Sequence, residues 1–172
     1  FLRRVVEVTY QRIHSRGCQR PVAELEMLTA DMEPPRDFAT ALTSVPFALI
    51  AEIKRASPSK GWLRQDLDAA ALARSYQAGG AAALSVLTEP IFFRGSPEDL
   101  VLARRATSLP VLCKDFILDP RQVYEARLWG ADAVLLIAAI LYPEDLAELI
   151  GICQEQSMGA LVEVHSQEDL DM

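Results

Sequence analysis

From Ala48 onward the chain alternates short apolar runs with longer amphipathic ones, and this alternation narrows the fold to a small set. Strand-like runs cover Ala48 to Lys54, Ala82 to Leu87, Pro110 to Lys114, Ala133 to Ala138 and Ala160 to Val164. Helical patterns fill the gaps over Asp68 to Ala78, Pro97 to Ala106, Pro120 to Trp129 and Pro143 to Gln156. Ser96 and Asp119 are placed to cap, and Pro97, Pro120 and Pro143 suit a first helical turn. Gly79-Gly80, Gly130 and Gly159 stand just past helix ends, where a left-handed residue is expected. Near-continuous apolar strands imply a parallel sheet covered by helices. A strand every ~23 to ~35 residues is the length of one strand-plus-helix unit.

Two architectures satisfy this pattern, an open doubly wound sheet and a (β/α)8 barrel. No G-x-G-x-x-G follows the first strand, which weakens the dinucleotide-binding version of the open sheet. Polar groups end several different strands, which favours the barrel. Residues 1–45 read differently, as two helices over Val5 to Ile13 and Ala23 to Ala30, joined through Gly17 and Pro21 and closed by Pro34-Pro35. The expected organisation is an N-terminal helical extension over 1–45, then strands one to five of a barrel over 46–172, in a single domain. The extension is placed to cover one end of the barrel.

The strand ends carry the chemistry. The first gives Glu52 and Lys54, which share a face because strand side chains alternate. A buried strand gains no packing from an acid and a base on one face. The alternative is an ordinary ion pair. The second strand ends in Ser85, Thr88 and Glu89, followed by Phe92, Phe93 and Arg94, and the third in Lys114, Asp115 and Phe116. The fourth ends without an ionisable group, and the fifth gives Glu163 and His165. Lysine binds an anion or donates a proton, and glutamate accepts a proton or stabilises a cation. Phe93 and Phe116 can wall an aromatic ring, or simply pack in the core. Lys114 beside Asp115 also reads as a local pair.

Composition removes other classes. A net charge of −7 argues against a nucleic-acid or anionic-membrane surface, while leaving room for a local basic pocket. No apolar run is long enough to span a bilayer, and the first residues lack a signal-peptide pattern. Cys18, Cys113 and Cys153 form no metal pattern and read as reduced thiols in a cytoplasmic protein.

The segments Ile50 to Gly61, Leu84 to Glu89 with Phe93 and Gly95-Ser96, Leu112 to Ile117, Gly130 to Ile137 and Leu161 to His165 together resemble the indole-3-glycerol-phosphate synthase family of tryptophan biosynthesis. That resemblance covers essentially the whole chain. It implies a (β/α)8 barrel and a carbon-carbon lyase needing neither metal nor cofactor. The implied substrate is phosphorylated, 1-(2-carboxyphenylamino)-1-deoxyribulose 5-phosphate, and the products are indole-3-glycerol phosphate, carbon dioxide and water. By motif, Lys114 resembles the general acid and Glu163 the general base. Lys54 resembles the lysine that holds the substrate's anionic groups, with Ser57 beside it. Glu52 resembles the acid that positions the lysines, and Phe93, Phe116 and Leu135 the walls of the aromatic pocket. Fusion or association with neighbouring tryptophan-pathway enzymes is a further expectation. The family's sixth to eighth strands have no counterpart here, so the expectation is a fragment, inactive alone. The competing expectations are another phosphate-binding barrel enzyme and a non-catalytic half-barrel that associates through open sheet edges.

Overall fold

The computed structural model describes residues 1–15 and 20–172; Gly17 and Cys18 lie outside the described residues. The five expected strands form as β1 (Ile50–Ile53), β4 (Ala83–Leu87), β5 (Val111–Lys114), β6 (Ala133–Ile137) and β7 (Gly159–Glu163), and they pair in parallel in the order β1-β4-β5-β6-β7. Helices α4 (Ala69–Ala78), α5 (Pro97–Ala106), α6 (Pro120–Leu128) and α7 (Pro143–Glu155) occupy the connections. This is a five-stranded parallel α/β arrangement, an incomplete (β/α)8 barrel.

Local chemistry sets the helix starts. The carboxylate of Asp68 accepts from Ala71 N at 3.0 Å, Ser96 Oγ from Asp99 N at 3.2 Å and Asp119 from Arg121 N at 2.9 Å. Tyr142 makes no side-chain cap, and α7 begins on Pro143 alone. The ends of the helices depart from expectation in one place. Gly80 and Gly130 have positive φ, 85° and 90°. After α7 it is Ser157 that turns left-handed, at φ 56°, and Gly159 lies inside β7. There the lack of a side chain is a packing matter, since a Cβ would stand 3.1 Å from that of Ala133.

Strand alternation sorts the sheet into two faces. Ala51, Ile53, Leu84, Val86, Val111, Cys113, Val134 and Leu136 point toward the helices and form the main core with Leu100, Val123 and Leu149. The Cys113 and Cys153 thiols are unpaired, and burial pushes each up to about 12. The opposite face carries Ala83, Leu112 and Ala133 at its lower end and Leu135 and Ile137 at its upper end.

The N-terminal segment covers both ends of this second face. Helix α1 (Leu2–Ser15) buries Val5 against Phe116, Leu135 and Ile137 at the C-terminal ends of the strands. Helix α2 (Val22–Ala30) lies beside α6, where Tyr124 donates to Glu26 at 3.1 Å. A third helix, α3 (Phe38–Thr43), was not expected; Phe38 and Leu42 close the lower end against Ala83, Leu112 and Ala133. Between α2 and α3, Arg36 N donates to Asp132 at 2.7 Å, while the Arg36 guanidinium donates to the carbonyl of Leu109. Further small elements are the hairpin β2 (Ala56–Ser57) and β3 (Gly61–Trp62), a 3-10 turn over Ala138–Ile140, and α8 (Gln167–Leu170). No helix among the described residues is long and apolar enough to cross a membrane.

Candidate active site

Glu52 of β1 lies in register with Ser85 of β4, and Ser85 with Leu112 of β5, so the carboxylate spans a narrow hydroxyl-bearing residue to reach β5. Its two oxygens are divided between two lysines. Oε1 accepts from Lys54 Nζ, and Oε2 from Lys114 Nζ at 2.8 Å. Burial alone raises a carboxyl's pKa, but the hydrogen bonds and charges of Lys114 and Lys54 outweigh it, and Glu52 is held below its ordinary value. Both ammonium groups stay partly open to solvent, so an incoming anion can reach them. The hydroxyl of Ser85 lies buried beneath this group without a hydrogen-bond partner.

An aromatic wall rises beside the charges. The rings of Phe93 and Phe116 are 6.2 Å apart, tilted at 41°. Phe92, Leu135, Ile137 and Leu161 pack into the same cluster. Phe116 is thus both core and wall. Glu163 lies on the same face at the opposite edge of the sheet, in register with Ile137 of that cluster, and its Oε1 meets His165 Nε2 at 2.8 Å. It has no contact with the lysines. Ser57 sits in the β2–β3 hairpin, where its hydroxyl accepts from Lys60 N at 3.2 Å. The expected residues therefore form one charged group (Glu52, Lys54, Lys114), one apolar wall (Phe93, Phe116, Leu135), and two flanking side chains, Glu163 and Ser57.

A local Lys114–Asp115 pair does not form. Asp115 turns to the other face, where it accepts from Arg12 Nη2 at 2.9 Å, from Thr88 Oγ1 at 3.0 Å and from Phe116 N at 2.8 Å. Arg55 is a second residue that the strand-end pattern did not single out. Its guanidinium forks onto Asp99 at 2.7 Å through two nitrogens and also donates to the carbonyls of Gln65 and Leu67, fixing the loop that leaves Lys54. Ala56 N donates to the carbonyl of Phe93 at 3.1 Å, so this loop is stitched to the aromatic wall. A basic residue within a charged helix or loop gives no sequence signal for such distant partners.

Comparison with known proteins agrees with the family resemblance. A family model described as indole-3-glycerol phosphate synthase matches residues 2–172. Similar proteins of that name occur in Microcystis aeruginosa, 55% identical over 153 residues that cover 88% of this chain and 52% of the relative, and in Desulfosudis oleivorans, 47% identical over 175 residues that cover 99% and 66%. Indole-3-glycerol phosphate synthase 2 of Ralstonia nicotianae is 49% identical, over 88% of this chain and 58% of its own. The chain spans about half to two thirds of the length of these relatives. Among solved structures, a mandelate oxidase variant with (S)-mandelic acid has a TM-score of 0.53 at 16% identity over 74% of this chain and 46% of its own, a likeness of fold alone. On the match across residues 2–172 and these identities, the chain belongs to the indole-3-glycerol phosphate synthase family.

Proposed function

We propose that this chain carries the acid-base half of an enzyme that converts 1-(2-carboxyphenylamino)-1-deoxyribulose 5-phosphate into indole-3-glycerol phosphate, carbon dioxide and water. The observation that carries the proposal is the Glu52 carboxylate set between two solvent-reachable lysines beside an aromatic wall. The substrate's benzoate ring lies against Phe93, Phe116 and Leu135, with Ser57 at the lip. Lys54 neutralises an anionic group of the substrate. Lys114 donates a proton to the carbonyl oxygen as the ring carbon attacks the carbonyl carbon. Loss of carbon dioxide then restores the aromatic ring, and the hydroxyl leaves as water, again with acid assistance. Glu163 removes the last proton and completes the indole. Glu52 holds the two ammonium groups in place and offsets their mutual repulsion. In this scheme the protein is a carbon-carbon lyase of the cytoplasm, and the phosphate is held by parts of the family fold beyond these five strands.

The test is Lys114→Ala in a protein extended to the length of its relatives, assayed by product fluorescence. Loss of a positioned acid lowers kcat by about 100-fold or more. A normal kcat with only a raised KM would assign Lys114 to binding. A second reading rests on β1 and β7, each hydrogen-bonded to a neighbouring strand on one side only among the described residues. Such edges recruit other strands. Size-exclusion chromatography of the 172-residue chain separates the readings, since edge pairing gives a dimer or larger species without turnover.

A further inference from the structure

Glu89 is almost completely buried, and among the described residues no ion pair joins it to a cation. Its carboxylate instead gathers three successive backbone donors. Oε1 accepts from Ile91 N at 2.9 Å, and Oε2 accepts from Phe92 N at 2.6 Å and Phe93 N at 3.0 Å. Its own carbonyl accepts from Gly95 N at 2.8 Å, closing the segment on itself. Gly95 has no room for a side chain, because a Cβ would fall 2.1 Å from the carbonyl oxygen of Leu87. Arg94, between them, takes a left-handed φ of 54° and lies 6.0 Å from the ring of Trp62. Burying a carboxylate is costly unless hydrogen bonds compensate it, and the three backbone N–H groups that do so here tie it to one backbone geometry.

We infer that Glu89 is a positioning residue for the aromatic pocket, holding the Ile91–Phe93 backbone so that the Phe93 ring faces Phe116 and its carbonyl meets Ala56 N. The ligand so placed is a planar aromatic ring. The inference rests on the function proposed above for the identity of that ring, but not for the role of the carboxylate. Glu89 touches neither lysine, so it acts on binding rather than on proton transfer.

The experiment compares Glu89→Met and Glu89→Gln by residue-resolved amide exchange and by titration with 2-aminobenzoate. Met removes both acceptor oxygens, and with them all three hydrogen bonds, at similar length. Gln keeps one oxygen, placed to serve Phe92 and Phe93, and turns an NH2 toward Ile91. In the Met variant the amides of residues 91–93 exchange roughly 100-fold faster while β4 and β5 change little. Affinity for 2-aminobenzoate falls about tenfold or more. Gln loses protection selectively at Ile91, whose N–H then faces an NH2, while Phe92 and Phe93 stay protected; that selective pattern decides if Met does not fold. Arg104→Met, which breaks an ion pair with Asp132 at the far end of the strands, supplies a destabilised control whose affinity stays near that of the unaltered chain. Unchanged protection at 91–93, loss spread evenly over the sheet, or an affinity loss no greater than in the control each overturns the assignment. If the unaltered chain does not bind 2-aminobenzoate, the proposed function is weakened, while the amide pattern still decides for or against Glu89.

Discussion

Arg12 and Asp115 are 103 residues apart in sequence, yet their side chains meet at 2.9 Å. The pair fastens the first helix to the residue that follows Lys114. Both partners are largely buried, so removing one leaves the other charge short of partners. Arg12→Ala is expected to cost about 2–3 kcal/mol, between an exposed pair and a fully buried one. Urea unfolding measures it, and a double-mutant cycle with Asp115→Asn isolates the coupling. A loss within error of zero would mean that Thr88 and Phe116 N alone satisfy the carboxylate.

Glu52→Gln leaves two ammonium groups facing one neutral amide. The oxygen serves one lysine, and the other loses its counter-charge. In a protein of full family length, kcat is expected to fall by about 100-fold with a smaller change in KM. An unchanged kcat with only a raised KM counts against the positioning role.

Glu163→Gln keeps the shape of the side chain and removes its proton affinity. A decrease in kcat of about 100-fold with little change in KM is expected for a base. Retained turnover would shift the base assignment to another carboxylate, Glu52 first.

Ser85→Ala removes a buried hydroxyl that finds no partner, and a gain of about 1 kcal/mol in stability is expected in the ligand-free protein. Thermal and urea unfolding report the sign directly. A loss of similar size would show that the hydroxyl is satisfied in solution.

Stability should have opposite slopes on the two sides of a weakly acidic optimum. Burial pushes Asp132 up to about 6, against the pull of Val111 N, Arg104 and Arg127. A folded value above the unfolded one favours the protonated form, so this contribution is full below about 4 and is lost as pH rises through 6. Glu52 is held low, so its contribution is present above its ordinary value of 4.5 and is lost as pH falls below that. Unfolding free energy should therefore rise from pH 7 to about 5 and decline on further acidification. Asp132→Asn should flatten the upper slope only.

The parts of the fold legible in the sequence are those with a local cause. All five strands and the four helices between them follow from apolar runs and from a capping residue, a first-turn proline or both, and α5 spans Pro97–Ala106 as its pattern indicates. The short α3 was hidden because its six residues follow a proline pair and present little periodicity. The β2–β3 hairpin has two-residue strands, and its anchor, Arg55 on Asp99, lies 44 residues away in sequence. The same limit governs the site. Alternation placed Glu52 and Lys54 on one face, but only the register across β4 brings Lys114 to the same carboxylate. Glu89 was visible as a strand-end acid, and nothing in its spacing announced that its partners are backbone amides.

The strand order β1-β4-β5-β6-β7 has a kinetic meaning. Each strand pairs with the next strand of the sheet to be synthesised, so every ladder closes a single local connection and no long-range search is required. A nascent chain can add its units one at a time as they leave the ribosome. Glu52 and Lys114 belong to the first and third strands of that order and Lys54 follows β1 directly, whereas Glu163 arrives with the fifth. The Glu52–Lys54–Lys114 cluster is thus assembled before Glu163 has emerged, and β7 docks onto a charged group already in place.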